Sequence, residues 1–170
     1  IIAATVLVIA VVVALGAAAF GISTFRVVKD SMPLPNTLTS VTVDTGSVPA
    51  AVRITTDREV REPRVDMRMV NSTRAGSRPL AVTADGTTAK VTIDGEASEF
   101  LRWGRAGEIT VVLPPELARR VSVTTQQEMG VLFAQADIDQ LTARTVEGAV
   151  VLSGSARRVE ITNEHGDVTT

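Results

Sequence analysis

Three equally spaced glycines constrain this chain more than any other feature of its sequence. Gly130, Gly148 and Gly166 recur every 18 residues, and the segments around them align as VTTQQEMGVLFA from Val123, LTARTVEGAVVL from Leu141 and VEITNEHGDVTT from Val159. Adjacent columns agree: Val123, Leu141 and Val159 precede the glycine, and Leu132, Val150 and Val168 follow it. Each unit reads as a strand, a turn whose positive φ calls for glycine, and a second strand. No single unit can bury its own apolar columns, so units must stack, with rungs about 4.8 Å apart. The pattern predicts a β-solenoid-like repeat domain with Gly130, Gly148 and Gly166 as its repeat turns, clearest over residues 121–170. The third unit stops short of a full period at Thr170, so either further chain or a different cap is expected on the last rung.

Upstream, the same all-β reading holds with less regularity. Apolar residues alternate with polar ones at Val41 and Val43, Val52 and Ile54, Val65, Met67 and Met69, Leu80 and Val82, Val91 and Ile93, Ile109, Val111 and Leu113, and Val121 and Val123. Period two places each set on one buried face of a strand. Asp44-Thr45-Gly46, Asp85-Gly86, Asp94-Gly95 and Pro114-Pro115 punctuate the runs as turns. No segment in this region has a helical period. The expected β-repeat domain covers residues 38–170, and residues 23–37, with Pro33 and Pro35, read as a stiff stalk.

Ile1 to Ile22 contains no charge and only Thr5 as a polar side chain. At 1.5 Å per residue a helix of this length reaches about 33 Å, enough for one membrane crossing. A signal peptide is the competing reading, since Ala17 and Ala19 could form a cleavage site, but its apolar region usually runs only about 7–15 residues. The expected layout is therefore one N-terminal transmembrane helix at 1–22 in the plasma membrane, single-pass, with the β-domain on the extracytoplasmic side. The lack of an initiator Met or basic flank points to a missing cytoplasmic tail. Ala3, Ala10, Ala14, Ala17 and Gly21 would form a stripe of small side chains suited to packing against another helix, unless alanine is simply abundant there.

The run Ile109-Thr-Val-Val-Leu-Pro-Pro-Glu-Leu-Ala-Arg-Arg-Val-Ser-Val-Thr-Thr, followed by the Glu-Gly and His-Gly-Asp-Val turns, resembles the bacterial β-strand-repeat, adhesin-like proteins. The resemblance covers about residues 80–170, and residues 38–78 depart from it because their glycines are irregularly spaced. It implies an extracytoplasmic solenoid, often behind a single membrane helix, with no catalytic residues to carry over. Lys29 and Lys90 stand against fifteen arginines, a bias that looks actinobacterial. In that group the layout is similar to an accessory subunit of the cytochrome bcc–aa3 respiratory supercomplex.

Composition excludes several chemistries. Without cysteine there is no disulfide framework, thiolate metal site or cysteine nucleophile. His165 is the only imidazole, which leaves no histidine cluster for a metal and one available base for triad chemistry. A formal net charge of −2 argues against nucleic acid as a partner. Asp137 and Asp139 lie two apart, about 6.5–7 Å on a strand, a separation paired-carboxylate hydrolysis could use, although a solvated acidic edge is the plainer reading. Glu147 and His165 share a turn position on successive rungs, close enough to pair. Seven arginines between Arg53 and Arg78 face four carboxylates, Asp57, Glu59, Glu62 and Asp66, that largely neutralise them. Phe100, Leu101 and Trp103 form either an interface anchor or a cover for an open sheet edge.

These readings predict no enzyme activity, no cofactor and no metal. They favour an accessory, structural subunit docked by its helix against other integral membrane subunits, the respiratory supercomplex among them. The alternative is a free cell-envelope adhesin or stress-sensing β-repeat protein that binds an external ligand.

Overall fold

The computed structural model describes residues 25–72, 80–93 and 107–170. Alternation of apolar and polar residues builds its walls. In β2 (Ser40–Gly46), β3 (Ala50–Thr56) and β7 (Gly107–Leu113), Val41, Val43, Val52, Ile54, Ile109, Val111 and Leu113 are all fully buried. β4 (Arg64–Ser72) adds Val65 and Met67, and the hairpin of β5 (Leu80–Asp85) and β6 (Thr88–Ile93) adds Leu80 and Val91. Gly86, at φ +60°, makes the hairpin turn, and the Thr88 hydroxyl donates to the Asp85 carbonyl at 3.0 Å.

Pro115 opens the single-turn helix α1 (Pro115–Ala118), where a missing N–H costs no helical hydrogen bond. Three long strands follow, β8 (Ser122–Ala134), β9 (Ile138–Leu152) and β10 (Ala156–His165), and then the two-residue β11 (Val168–Thr169). With β1 (Phe25–Pro33), the described strands form one eleven-stranded sheet in the order β1-β4-β7-β3-β8-β2-β6-β5, with β9 beside β8 and both β10 and β11 beside β9.

β8 joins the two halves of the chain. Its first half pairs in parallel with β2, Val41 opposite Val123, and its second half with β3, Val52 opposite Leu132. Along its other edge β8 pairs with β9 almost throughout, from Ser122 opposite Gln140 to Ala134 opposite Leu152. The sheet bends where β8 changes partner and curls nearly closed, barrel-like, around Leu38, Val41, Ile54, Leu113, Leu132 and Leu141.

This architecture corrects the expected β-solenoid behind a transmembrane helix. In a solenoid, coils stack in sequence order, whereas here β2 and β3 lie between β8 and strands formed later than themselves, β6 and β7. β1, β4 and β5 pair antiparallel with their neighbours, which no winding of parallel rungs produces. Among the described residues no helix is long and apolar enough to cross a membrane. The single-pass plasma-membrane location drawn from residues 1–22 is corrected accordingly, and those residues lie outside the described ones. The stretch expected as a stalk contains β1, whose nine residues all pair with β4, followed by the buried Leu34.

Locally, β8, β9 and β10 do run parallel at an 18-residue offset, Val123 opposite Leu141 and Leu141 opposite Val159. Gly130, Gly148 and Gly166 have φ of +147°, +154° and +137°. A Cβ on Gly148 would overlap the Gly130 carbonyl oxygen, and one on Gly166 the Gly148 carbonyl oxygen. The column is glycine because each bend sits directly on the backbone of the bend before it.

Candidate functional site

Register places Asp44, Gln126, Arg144 and Thr162 opposite one another on β2, β8, β9 and β10. Four strands at about 4.8 Å spacing carry this row across about 14 Å of the outer surface. With Glu128, Val146 and Glu164 it borders an open groove of about 380 Å³ beside the glycine bend.

Two further lining residues, Gln127 and Thr145, are only 4% and 3% exposed. They are register partners, each three positions before a column glycine. The Gln127 amide donates from Nε2 to the Ala50 carbonyl at 3.0 Å, which fixes its orientation and leaves Oε1 without a partner. The Thr145 hydroxyl is likewise unpartnered. Asn163 continues the column on β10: its Nδ2 donates to the Gly148 carbonyl at 3.2 Å and its Oδ1 is also unpartnered. Nearly all buried polar atoms in folded proteins find a partner, so these orphaned oxygens inside the sheet, with those of Thr45 and Thr125 beside them, are a chemical feature in their own right.

Charge at the rim is mostly acidic. Asp44 meets Lys90 Nζ at 3.5 Å and accepts the Gly46 N–H at 3.1 Å. Glu128, Glu164 and Arg144 form no ion pair within 4 Å among the described residues. Three carboxylates and one guanidinium therefore surround the exposed Gln126 and Thr162, while the orphaned oxygens of Gln127 and Thr145 lie buried on the inward face of the same strands. Among the described residues no group of three or more His, Asp or Glu side chains is placed to hold a metal ion.

The residues singled out from sequence are distributed differently. Gly130, Gly148 and Gly166 form the bend beside the groove. Ala3, Ala10, Ala14, Ala17 and Gly21, and the aromatic loop of Phe100, Leu101 and Trp103, lie outside the described residues. Asp137 accepts both the backbone N–H of Ser155 at 3.2 Å and its hydroxyl at 2.7 Å, while Asp139 meets Arg157 at 2.9 Å. Both carboxylates thus clasp the next unit, 18 residues on, instead of facing a shared substrate. Glu147 and His165 are register partners but form no ion pair within 4 Å. In the arginine-rich stretch, Arg53 bonds Gln135 at 3.0 Å and stacks over Phe133 at 5.3 Å, and Arg64 pairs with Asp66 at 3.0 Å.

The groove residue Arg144 and the inward column of Gln127, Thr145 and Asn163 were not read as a site from sequence. The available signal was the column 127, 145, 163, which reads Gln, Thr, Asn on the side of the strand where the columns two and four places earlier are mostly apolar.

By sequence, the chain matches no protein-family model and no curated protein. By structure it is similar to a candidate cell adhesion protein from Clostridium sporogenes, with a TM-score of 0.52 and 11% identity over 81% of this chain and 68% of that one. A candidate adhesin from Bacteroides fragilis aligns with a TM-score of 0.41 at 7% identity, over 85% of this chain and 96% of that one. A candidate lipid binding protein from Parabacteroides distasonis also aligns at 0.41, with 10% identity over 85% and 74% of the two chains. The first alignment shows a shared all-β fold. Nothing in these comparisons supports the layout of an actinobacterial supercomplex subunit.

Proposed function

We propose that this chain is a non-catalytic, adhesin-like binding module whose groove takes an extended, hydroxyl-bearing ligand of the glycan type. The observation that carries this reading is the outward row of Asp44, Gln126, Arg144 and Thr162, which with Glu128 and Glu164 lines one open groove. A hydroxyl-rich ligand bonds the Gln126 amide and the Thr162 hydroxyl, and the surrounding carboxylates accept further hydroxyls in charge-assisted bonds. Acidic excess at the rim disfavours phosphorylated or otherwise anionic ligands. The adhesion-related name of the Clostridium protein is in keeping with this role.

Glycan-array screening followed by calorimetric titration tests the proposal. Binding to a neutral oligosaccharide is expected, with Arg144→Ala and Glu128→Ala each weakening it by about tenfold, the typical worth of a charge-assisted hydrogen bond. Absence of binding across neutral glycans overturns the ligand class, and turnover of the bound sugar overturns the non-catalytic reading.

A further inference from the structure

Resting on the glycan reading above, we infer that the ligand is a straight, equatorially linked pyranose chain lying across the strands, one sugar to each strand, with alternate sugars turned over. The direction comes from where the surface repeats itself. Across the strands Thr42 lies opposite Thr124 and Thr124 opposite Thr142, whereas along β8 the outward residues change from Ser122 to Thr124 to Gln126. A polymer presents the same group at every repeat, so it matches the direction in which the protein does likewise. The groove shares that direction. Its outward lining draws Gln126 and Glu128 from β8, Arg144 and Val146 from β9, and Thr162 and Glu164 from β10, with Asp44 of β2 beside them. It therefore spans four strands but only two outward positions along any one of them.

The wall of the groove points to the linkage. Glu128, Val146 and Glu164 stand side by side on it, each between register-paired residues of β8, β9 and β10. Val146 is 40% exposed although β9 is paired along both edges, so its exposure is not that of an uncovered strand. Acid, apolar, acid is a repeat of two strands, about 9.6 Å. An equatorially linked pyranose chain has a matching two-sugar repeat: it advances by close to one strand spacing per sugar, and each sugar is turned over relative to the last. One edge of such a chain shows a pair of ring hydroxyls on one sugar and the hydroxymethyl carbon of the next. Glu128 and Glu164 accept from the hydroxyl pairs in charge-assisted bonds, and Val146 packs against the carbon between them. Chains joined through axial bonds coil away from a straight line of side chains. No residue lining the groove is aromatic, so the rings are held by their edges and not by stacking on a face. Edge contact is what makes the linkage legible to the protein.

Calorimetric titration of the full chain with cellohexaose, chitohexaose and maltohexaose tests the geometry, in mild detergent because residues 1–22 carry no charge. Cellohexaose and maltohexaose are neutral glucose chains of equal length that differ only in the bond joining the sugars; chitohexaose keeps the equatorial bond and changes the sugar. At least one of the two equatorially linked chains is expected to bind at least about tenfold more tightly than maltohexaose. Val146→Glu, which breaks the alternation at an exposed position, should weaken that binding at least about tenfold, and the milder Val146→Thr about threefold. Ser122→Ala, about 13 Å along β8 from Gln126, should bind as the wild type does. Maltohexaose bound as tightly, or binding of other neutral glycans and of neither equatorial chain, overturns the inference and leaves the glycan reading standing. Binding of no neutral glycan overturns both. Full affinity in both Val146 variants, or an equal loss in Ser122→Ala, means that the chain does not lie along this wall and overturns the inference as well.

Discussion

Gly148 and Gly86 both have positive φ, yet their side-chain space differs completely. A Cβ on Gly86 would meet nothing within 4 Å, whereas one on Gly148 would collide with the backbone of Gly130. Gly86→Ala is therefore expected to cost about 1 kcal/mol, the conformational penalty alone. Gly148→Ala should cost about 3 kcal/mol or more, because the neighbouring bend must also move. Urea denaturation of both variants separates the two terms. Thr145 poses the opposite case, since its buried hydroxyl has no partner. Replacing it with the isosteric valine removes an unsatisfied polar atom and is expected to raise stability by about 1 kcal/mol. The same substitution should leave ligand binding unchanged, because the hydroxyl is buried behind the groove. A valine variant that is less stable would show that the hydroxyl contributes to packing.

Pairing on both edges distinguishes the long strands from one another. β8 is flanked by β2 and β3 on one side and β9 on the other, while among the described residues β10 has β9 alone. Native-state hydrogen exchange should accordingly be slowest in β8 and fastest among the long strands in β10. Equal protection of the two would mean that the molecule opens only globally. Individual strands of this sheet were legible in the sequence to the extent that their inward faces alternate: Val41, Val43, Val52, Ile54, Val65, Met67 and Val91 are all in the core. Strand order was not legible, because period two fixes which side of a strand is buried and says nothing of which strand lies beside it. β1 was obscured by its own composition, since Lys29, Asp30 and two nearby prolines read as a linker until pairing with β4 supplies the missing hydrogen bonds. The groove was hidden for a related reason. Asp44, Gln126, Arg144 and Thr162 are ordinary polar residues one at a time, and only register makes them a row.

At the scale of the whole molecule, the sheet is assembled from distant partners. Val41 lies opposite Val123, 82 residues later by subtraction of their numbers. The loop between such partners must be closed before the pairing contributes any stability, and folding is slowed as a result. Refolding by stopped-flow dilution is expected on a scale of about seconds. Complete recovery within milliseconds would require early local structure that this strand order does not offer. The 18-residue offset between β8, β9 and β10 has a different consequence, one for how such a chain can change over generations. Because the glycine bend and the column of Gln127, Thr145 and Asn163 repeat at the same interval that the Asp137 clasp on Ser155 spans, duplication or loss of one unit preserves the strand register across the new junction. Each added unit lengthens the recognition row by about 4.8 Å. Reach thereby becomes a matter of copy number, inherited in whole steps, and ligands of different length can be matched without inventing a new fold.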